Sequence, residues 1–157
     1  MDFGIDTNLR DVWGKPFDCR RVDLYLAGRG KGGLSGIGCA VRAASEKYGI
    51  NPWYIVAHAA LETGWGTSRI SKEKNNLFGW SAFDASPYTS AHGFPNRAAC
   101  IDYVMGRVNE LYLTPSGKYF RGAVLGDRTH GMNAHYATDP EWGRKIASIV
   151  RRLEREV

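Results

Sequence analysis

The chain has 157 residues, of which 43% are apolar and 24% charged, and its net charge is +5. That length suits one domain able to bury its own core, and that composition is ordinary for a globular protein. No run of about 18 apolar residues is present, which excludes a helical membrane span. No basic start followed by an apolar stretch marks a leader in MDFGIDTNLRDVW.

The three cysteines, Cys19, Cys39 and Cys100, are too few and too scattered for a disulfide framework or a zinc pattern, so they read as buried or free thiols. The positive charge suits an anionic partner: nucleic acid, a cell-wall polymer or a membrane surface. Apart from Arg20–Arg21 and the C-terminal RRLER, the basic residues are dispersed. A dedicated nucleic-acid patch is therefore the weaker reading.

In chain order, one domain spans 1–157 and opens with an N-terminal arm of about 17 residues. A first helix is predicted over 18–27, with Val22, Tyr25 and Leu26 on one face. The glycine-rich GRGKGG, residues 28–33, lacks the spacings of a phosphate-binding loop and reads as a turn. A second helix over 35–48 carries Ile37, Val41, Ala44 and Tyr48 as a stripe, and Gly49 ends it. The third has strong boundary chemistry: Asn51 caps it, Pro52 takes the first position, and Gly64 stops it. Its small apolar residues make it the central helix, with Ile55, Ala59 and Glu62 on a common face.

A polar loop is expected next, then a loop or small β-hairpin lobe around 80–95. A helix over 97–112 presents Ile101, Val104, Val108 and Leu111. A turn, TPSGK, and a short apolar piece, FRGAVL, lead to a last helix from Asp139–Pro140, with Trp142, Ile146, Ile149 and Leu153 on one side. Alternating patterns are scarce, so the fold class is mainly α.

Glu62 breaks a local rule. A carboxylate in the last turn of a helix faces the negative end of the macrodipole, and its helix face is otherwise apolar. Both effects favour the protonated form, which is what a general acid needs near neutral pH. The alternative is a solvated side chain, or one paired with Arg69 or Lys72. Trp65, Phe78, Trp80 and Tyr88 follow, interleaved with the amides Asn75 and Asn76. Rings that cover sugar faces beside amides that bind hydroxyl and acetamido groups line carbohydrate clefts; core packing is the competing use of the same rings. His58, one turn before Glu62, either packs within the core or tunes the acid. No histidine belongs to a metal-ligand pair and the H-E-x-x-H pattern is missing, so no metal and no cofactor are expected.

The stretch AHAALETGWGTSRISKEKNNLFGWSAFD resembles the signature of the glucosaminidase family of peptidoglycan hydrolases, glycoside hydrolase family 73. The upstream KYGINP entry and the downstream GMNAHYATDPEWGRKI are also similar to the family, and the three motifs stand in the family's order over roughly residues 22–153. The resemblance implies a lysozyme-like, two-lobed helical fold with a cleft. It implies hydrolysis of the β-1,4 bond between N-acetylglucosamine and N-acetylmuramic acid, on the glucosamine side.

By the same resemblance Glu62 is the general acid, Tyr136 a cleft tyrosine beside it, and Phe78 part of a substrate-side loop. Some family members carry a second acid after that loop, where Asp84 is the sole candidate in SAFDASPYTSAHGF. Because DASP is also a turn sequence, the expected route is assistance by the substrate's own acetamido group, with Asp84 as the alternative base. Asp139 before Pro140 is explained as a cap.

The implied partner is the glycan strand of bacterial peptidoglycan, met by a monomer without nucleic acid or stable membrane insertion. A phage lysin released through a membrane hole, or a trimmed secreted domain, fits the missing leader. A lytic transglycosylase or muramidase, and a non-catalytic wall-binding module, remain the alternatives.

Overall fold

The computed structural model describes residues 2–12, 15–81 and 87–157. Its helices are α1 (Cys19–Ala27), α2 (Gly38–Tyr48), α3 (Pro52–Thr63), α4 (Arg69–Lys74), α5 (Pro87–Ser90), α6 (Arg97–Val108) and α7 (Trp142–Glu156). Among the described residues there is no strand, and ladder pairing is confined to one bridge between Asp127 and His130. None of these helices is long and apolar enough to cross a membrane.

The central element is α3. Every residue from Trp53 to Ala60 is buried, as expected of a helix that is apolar all round. It packs mainly on α7 and also on α2, while α2 joins α1 and α6. Its start follows the sequence reading: Asn51 Oδ1 accepts from the backbone N–H groups of Trp53 (2.8 Å) and Tyr54 (3.2 Å). Its end is a run of left-handed residues, Gly64, Trp65 and Gly66, with φ of 57°, 60° and 83°.

That turn explains GRGKGG. The backbones of Gly33 and Gly66 touch, so a Cβ on Gly33 would stand 2.4 Å from the Gly66 carbonyl oxygen. A Cβ on Gly30 would stand 2.5 Å from the Trp65 carbonyl oxygen. The glycines let the turn after α1 seat against the turn after α3.

The N-terminal arm is stitched into the core rather than appended to it. Phe3 and Leu9 are buried. The Leu9 N–H donates to the Ala123 carbonyl (2.8 Å), and the Leu9 carbonyl accepts from Asn51 N–H (2.8 Å). Arg10 donates from Nη1 to the Tyr48 carbonyl (2.6 Å) and from Nη2 to Asn109 Oδ1 (2.6 Å).

Several boundaries differ from the sequence reading. The polar loop expected after Gly66 contains α4, capped by Ser68, whose Oγ accepts from Ser71 N–H. The helix expected to run to 112 changes to a π-turn over Asn109–Leu113. The last helix begins at Trp142, because Asp139 and Glu141 form a turn in which Asp139 Oδ1 accepts from Glu141 N–H (2.9 Å). Along α7 Val150 is fully buried and Ile149 only partly.

Of the loop and the small hairpin lobe left open for 80–95, the described residues take the loop form, interrupted by the short α5. Side chains take carbonyls that a ladder would use. Asn76 Nδ2 donates to Trp80 (2.8 Å) and His92 (3.0 Å). Asn75 Nδ2 donates to Phe94 (3.1 Å), and Lys74 Nζ donates to Tyr88 and Ala91.

Candidate active site

Glu62 sits on the last turn of α3, where α3 leaves the core. Its side chain is exposed, unlike the buried Ile55 and Ala59 on the same face. It opens into a cleft, not onto a convex surface. On one side is a cavity of about 420 Å³, walled by Phe78, Gly79, Trp80, Tyr112 and Tyr136. On the other is a cavity of about 390 Å³, walled by Tyr136, Thr138, Asp139, Trp142 and Lys145. Glu62 and Tyr136 belong to both.

The two carboxyl oxygens meet different surroundings. Oε1 accepts from the indole N–H of Trp142 at 3.1 Å. Oε2 lies toward Gly79, 3.5 Å from where a Cβ on that residue would stand. Protein packed around the carboxyl raises its pKa above the ordinary range, and the Trp142 N–H, which favours the charged form, offsets part of that shift. The open cleft side makes this desolvation partial. Neither Arg69 nor Lys72 pairs with Glu62: Arg69 binds Glu73 (2.5 Å).

Beneath the acid is a layer of rings. His58 is fully buried, with Nδ1 2.9 Å from the Tyr54 hydroxyl. Phe78, Tyr136 and Trp142 approach it edge-on at 5.0, 5.0 and 5.2 Å, and its Nε2 has no hydrogen-bond partner. Burial pushes the imidazole down to about 3, so it is neutral wherever a general acid of raised pKa would operate. Tyr136 stacks on Trp142 (4.9 Å, 24°) and meets Tyr112 (5.2 Å). Burial raises the Tyr136 hydroxyl well above its usual value, fixing it as a neutral group.

Of the residues singled out in the sequence, the structure brings together Glu62, Phe78, Trp80 and Tyr136. Three others are elsewhere. Asn76 is fully buried, and its amide organises the 76–80 turn, accepting from Trp80 N–H (2.9 Å) and donating as described above. Trp65 is swung away by the left-handed turn and packs on Tyr25 (6.4 Å) and the Arg29 guanidinium (5.9 Å). Tyr88 is held between the Arg69 guanidinium (3.7 Å) and the Lys74 ammonium (4.5 Å). Asp84 lies outside the described residues.

Asp139 does line the second cavity, but Lys145 Nζ (2.6 Å) and the Glu141 N–H hold it as a carboxylate below its usual pKa. Among the described residues no group of three His, Cys, Asp or Glu side chains gathers as a metal site.

Sequence reasoning missed Tyr112 and the polar role of Trp142. For Trp142 a signal existed, since a buried indole N–H needs an acceptor. Tyr112 carried none beyond being aromatic.

Comparison with known proteins bears on the family and the fold. The family model described as mannosyl-glycoprotein endo-beta-N-acetylglucosaminidase, of the glucosaminidase family, matches residues 38–155. A Streptococcus pneumoniae protein named for endo-beta-N-acetylglucosaminidase activity is 40% identical over 124 residues, covering 79% of this chain and 18% of that protein. The chain thus spans under a fifth of that curated relative's length.

The structure of S. aureus Autolysin E in complex with the muropeptide NAM-L-Ala-D-iGlu superposes with a TM-score of 0.72 at 25% identity, covering 99% of this chain and 73% of that one. A catalytic mutant of S. aureus Autolysin E in complex with the disaccharide NAG-NAM gives 0.74 at 23% identity, with the same coverage, and speaks for the fold. With the family model matched over three quarters of its length and the helical, clefted architecture shared with the autolysins, the chain belongs to the glucosaminidase family.

Proposed function

We propose that this chain hydrolyses the β-1,4 bond between N-acetylglucosamine and N-acetylmuramic acid in bacterial peptidoglycan, on the glucosamine side, with Glu62 as general acid. The observation that carries the reading is the placement of Glu62. It is an acid of raised pKa at the junction of two adjoining cavities, in a member of the glucosaminidase family. The muropeptide and the NAG-NAM disaccharide bound by structural relatives support the substrate class. Trp80, half-buried, supplies a ring face for a pyranose unit on the first side of the acid, and the buried Phe78 and Tyr112 back that wall.

The route we favour is substrate-assisted. Among the described residues the carboxylates lining the two cavities are Glu62 and Asp139, and Asp139 is already committed to Lys145. The acetamido oxygen of the glucosamine attacks the anomeric carbon as Glu62 protonates the bridging oxygen and the glycosidic bond breaks. Water then opens the cyclic intermediate, giving its proton to Glu62. Such assistance is a recognised exception to the two-carboxylate pattern. Tyr136, neutral and beside the acid, orients the acetamido group. In this reading the chain works as a monomer at the cell wall, as a phage lysin or a secreted catalytic domain, and engages neither nucleic acid nor a bilayer.

Mass analysis of digested peptidoglycan tests the reading. Wild type is expected to release fragments with reducing glucosamine ends, and Glu62→Gln to lose at least about 10²-fold in rate while remaining folded. A 1,6-anhydro-muramic product would identify a lytic transglycosylase instead. Wall binding without turnover, unaffected by Glu62→Gln, would identify a binding module. Asp84→Asn is expected to reduce the rate modestly, and a loss equal to that of Glu62→Gln would replace substrate assistance with a two-carboxylate mechanism.

A further inference from the structure

The asymmetric surroundings of the Glu62 carboxyl carry an inference that rests on the general-acid reading and goes beyond it. We propose that Trp142 is a positioning residue that assigns the two oxygens to different tasks. Its indole N–H keeps Oε1 as an acceptor, so the transferable proton is carried by Oε2, on the Gly79 side of the cleft.

The indole N–H is a donor and has no acceptor capacity. A proton on Oε1 would set an O–H against that N–H at 3.1 Å, whereas a proton on Oε2 leaves the bond intact. The indole is well fixed. Trp142 is buried at the first position of α7, its backbone N–H donates to the Asp139 carbonyl (3.1 Å), and its ring is stacked on Tyr136 and met edge-on by His58. Oε2 faces a residue without a side chain. Gly79 has φ of 62°, and a Cβ there would already be in van der Waals contact with Oε2 at 3.5 Å, so a longer side chain would lie over that oxygen. The backbone at Gly79 therefore leaves the proton-bearing oxygen accessible from the cavity walled by Phe78, Trp80 and Tyr112.

The arrangement also stabilises the state in which the acid has given up its proton. When the Oε2 proton passes to the bridging oxygen and the glycosidic bond breaks, Glu62 becomes a carboxylate. The Trp142 bond to Oε1 then becomes charge-assisted and strengthens. An interaction that grows as the proton leaves lowers the barrier, where one equally strong throughout would not.

Among the described residues the other ionisable groups around the carboxyl are His58 and Tyr54 on α3, Tyr112 after α6, Tyr136, Asp139 and Lys145. His58 titrates at about 3 and Tyr112 at about 12. Asp139 is held low by its hydrogen bonds to Lys145 and Glu141 N–H, Lys145 is raised by Asp139, and burial raises Tyr54 and Tyr136. Each of these is moved away from the neutral range, whereas Glu62 is raised toward it.

The test begins with unmodified protein labelled with ¹⁵N at tryptophan, its Trp142 indole N–H followed by NMR between about pH 4 and pH 9. That N–H is expected to move in a single titration that disappears in Glu62→Gln; an N–H that stays flat overturns the proposal. Trp142→Phe keeps a ring and removes the donor. Its kcat is expected to fall about tenfold. The basic limb of its kcat/KM profile should move to higher pH, since the bond that favoured the ionised acid is gone. A folded Trp142→Phe whose limb stays at the wild-type pH overturns the proposal, because loss of packing alone would lower the rate without moving the limb.

Gly79→Asn, chosen because Asn tolerates a left-handed backbone, is expected to cut kcat about tenfold while the indole titration persists. Wild-type kcat in that variant overturns the assignment of the proton to Oε2. Full activity in Glu62→Gln would instead defeat the general-acid reading, whatever the indole shows.

Discussion

Glu62 combines three features at one residue: the unfavourable end of a helix dipole, a carboxyl hemmed by protein, and one indole donor. The first two keep it protonated and work against folding once it ionises, and the indole donor offsets part of that. A folded-state pKa above the unfolded value means the native state binds the proton more tightly. Stability is then fullest below the unfolded pKa and is lost as pH rises through the folded one. Glu62→Gln removes that loss. The variant is expected to have a higher Tm than wild type at neutral pH, with the gap closing toward pH 4; scanning calorimetry at both pH values checks it, and a gap independent of pH contradicts it. At this scale the sequence showed which residue was anomalous, because the dipole and the apolar face are local properties. It did not show that Asn76, Trp65 and Tyr88 turn away from the cleft. Nearness along the chain to Glu62 suggested lining residues, and the direction of each side chain depends on turns that reverse it.

At the scale of elements, the boundaries set by capping were legible and those set by contact were not. Asn51, Pro52 and Gly64 bound α3 because each satisfies or ends the helix by itself. Between the loop and the hairpin left open after Trp80, the described residues take the loop, with carbonyls bonded to Lys74, Asn75 and Asn76, a competition between side chain and ladder that no periodicity records. The glycine-rich turn makes the same point. Gly33 has an ordinary helical backbone, φ −58°, so its need for glycine comes from the Gly66 backbone and not from its own torsions. Gly33→Ala is therefore expected to destabilise by about 1–3 kcal/mol through overpacking alone. Urea unfolding measures it, and a change below about 0.5 kcal/mol would show that the two turns separate freely.

For the whole molecule, the arm is the element whose role the sequence understated. In the sequence, residues 1–17 read only as an N-terminal arm of the domain, with no core residue assigned to it. In the structure Leu9 is fully buried and its backbone joins Ala123 to Asn51, the cap of the central helix. Leu9→Ala is expected to cost about 2–5 kcal/mol, the range for removing a buried leucine side chain. An equilibrium unfolding midpoint close to that of wild type would return the arm to the status of an appendage. The arm thereby supports the start of the helix that carries Glu62 at its other end.

The sequence by itself determined the helical class, the order of the main helices, and a capped apolar helix ending in one anomalous acid. Period, caps and dipole act within a few residues and leave their mark in the chain. Only the tertiary structure decided which rings face that acid, which neighbours turn away, and which of its oxygens is held. The deciding contact joins Glu62 to Trp142, 80 positions apart, and is made by the packing of α3 on α7.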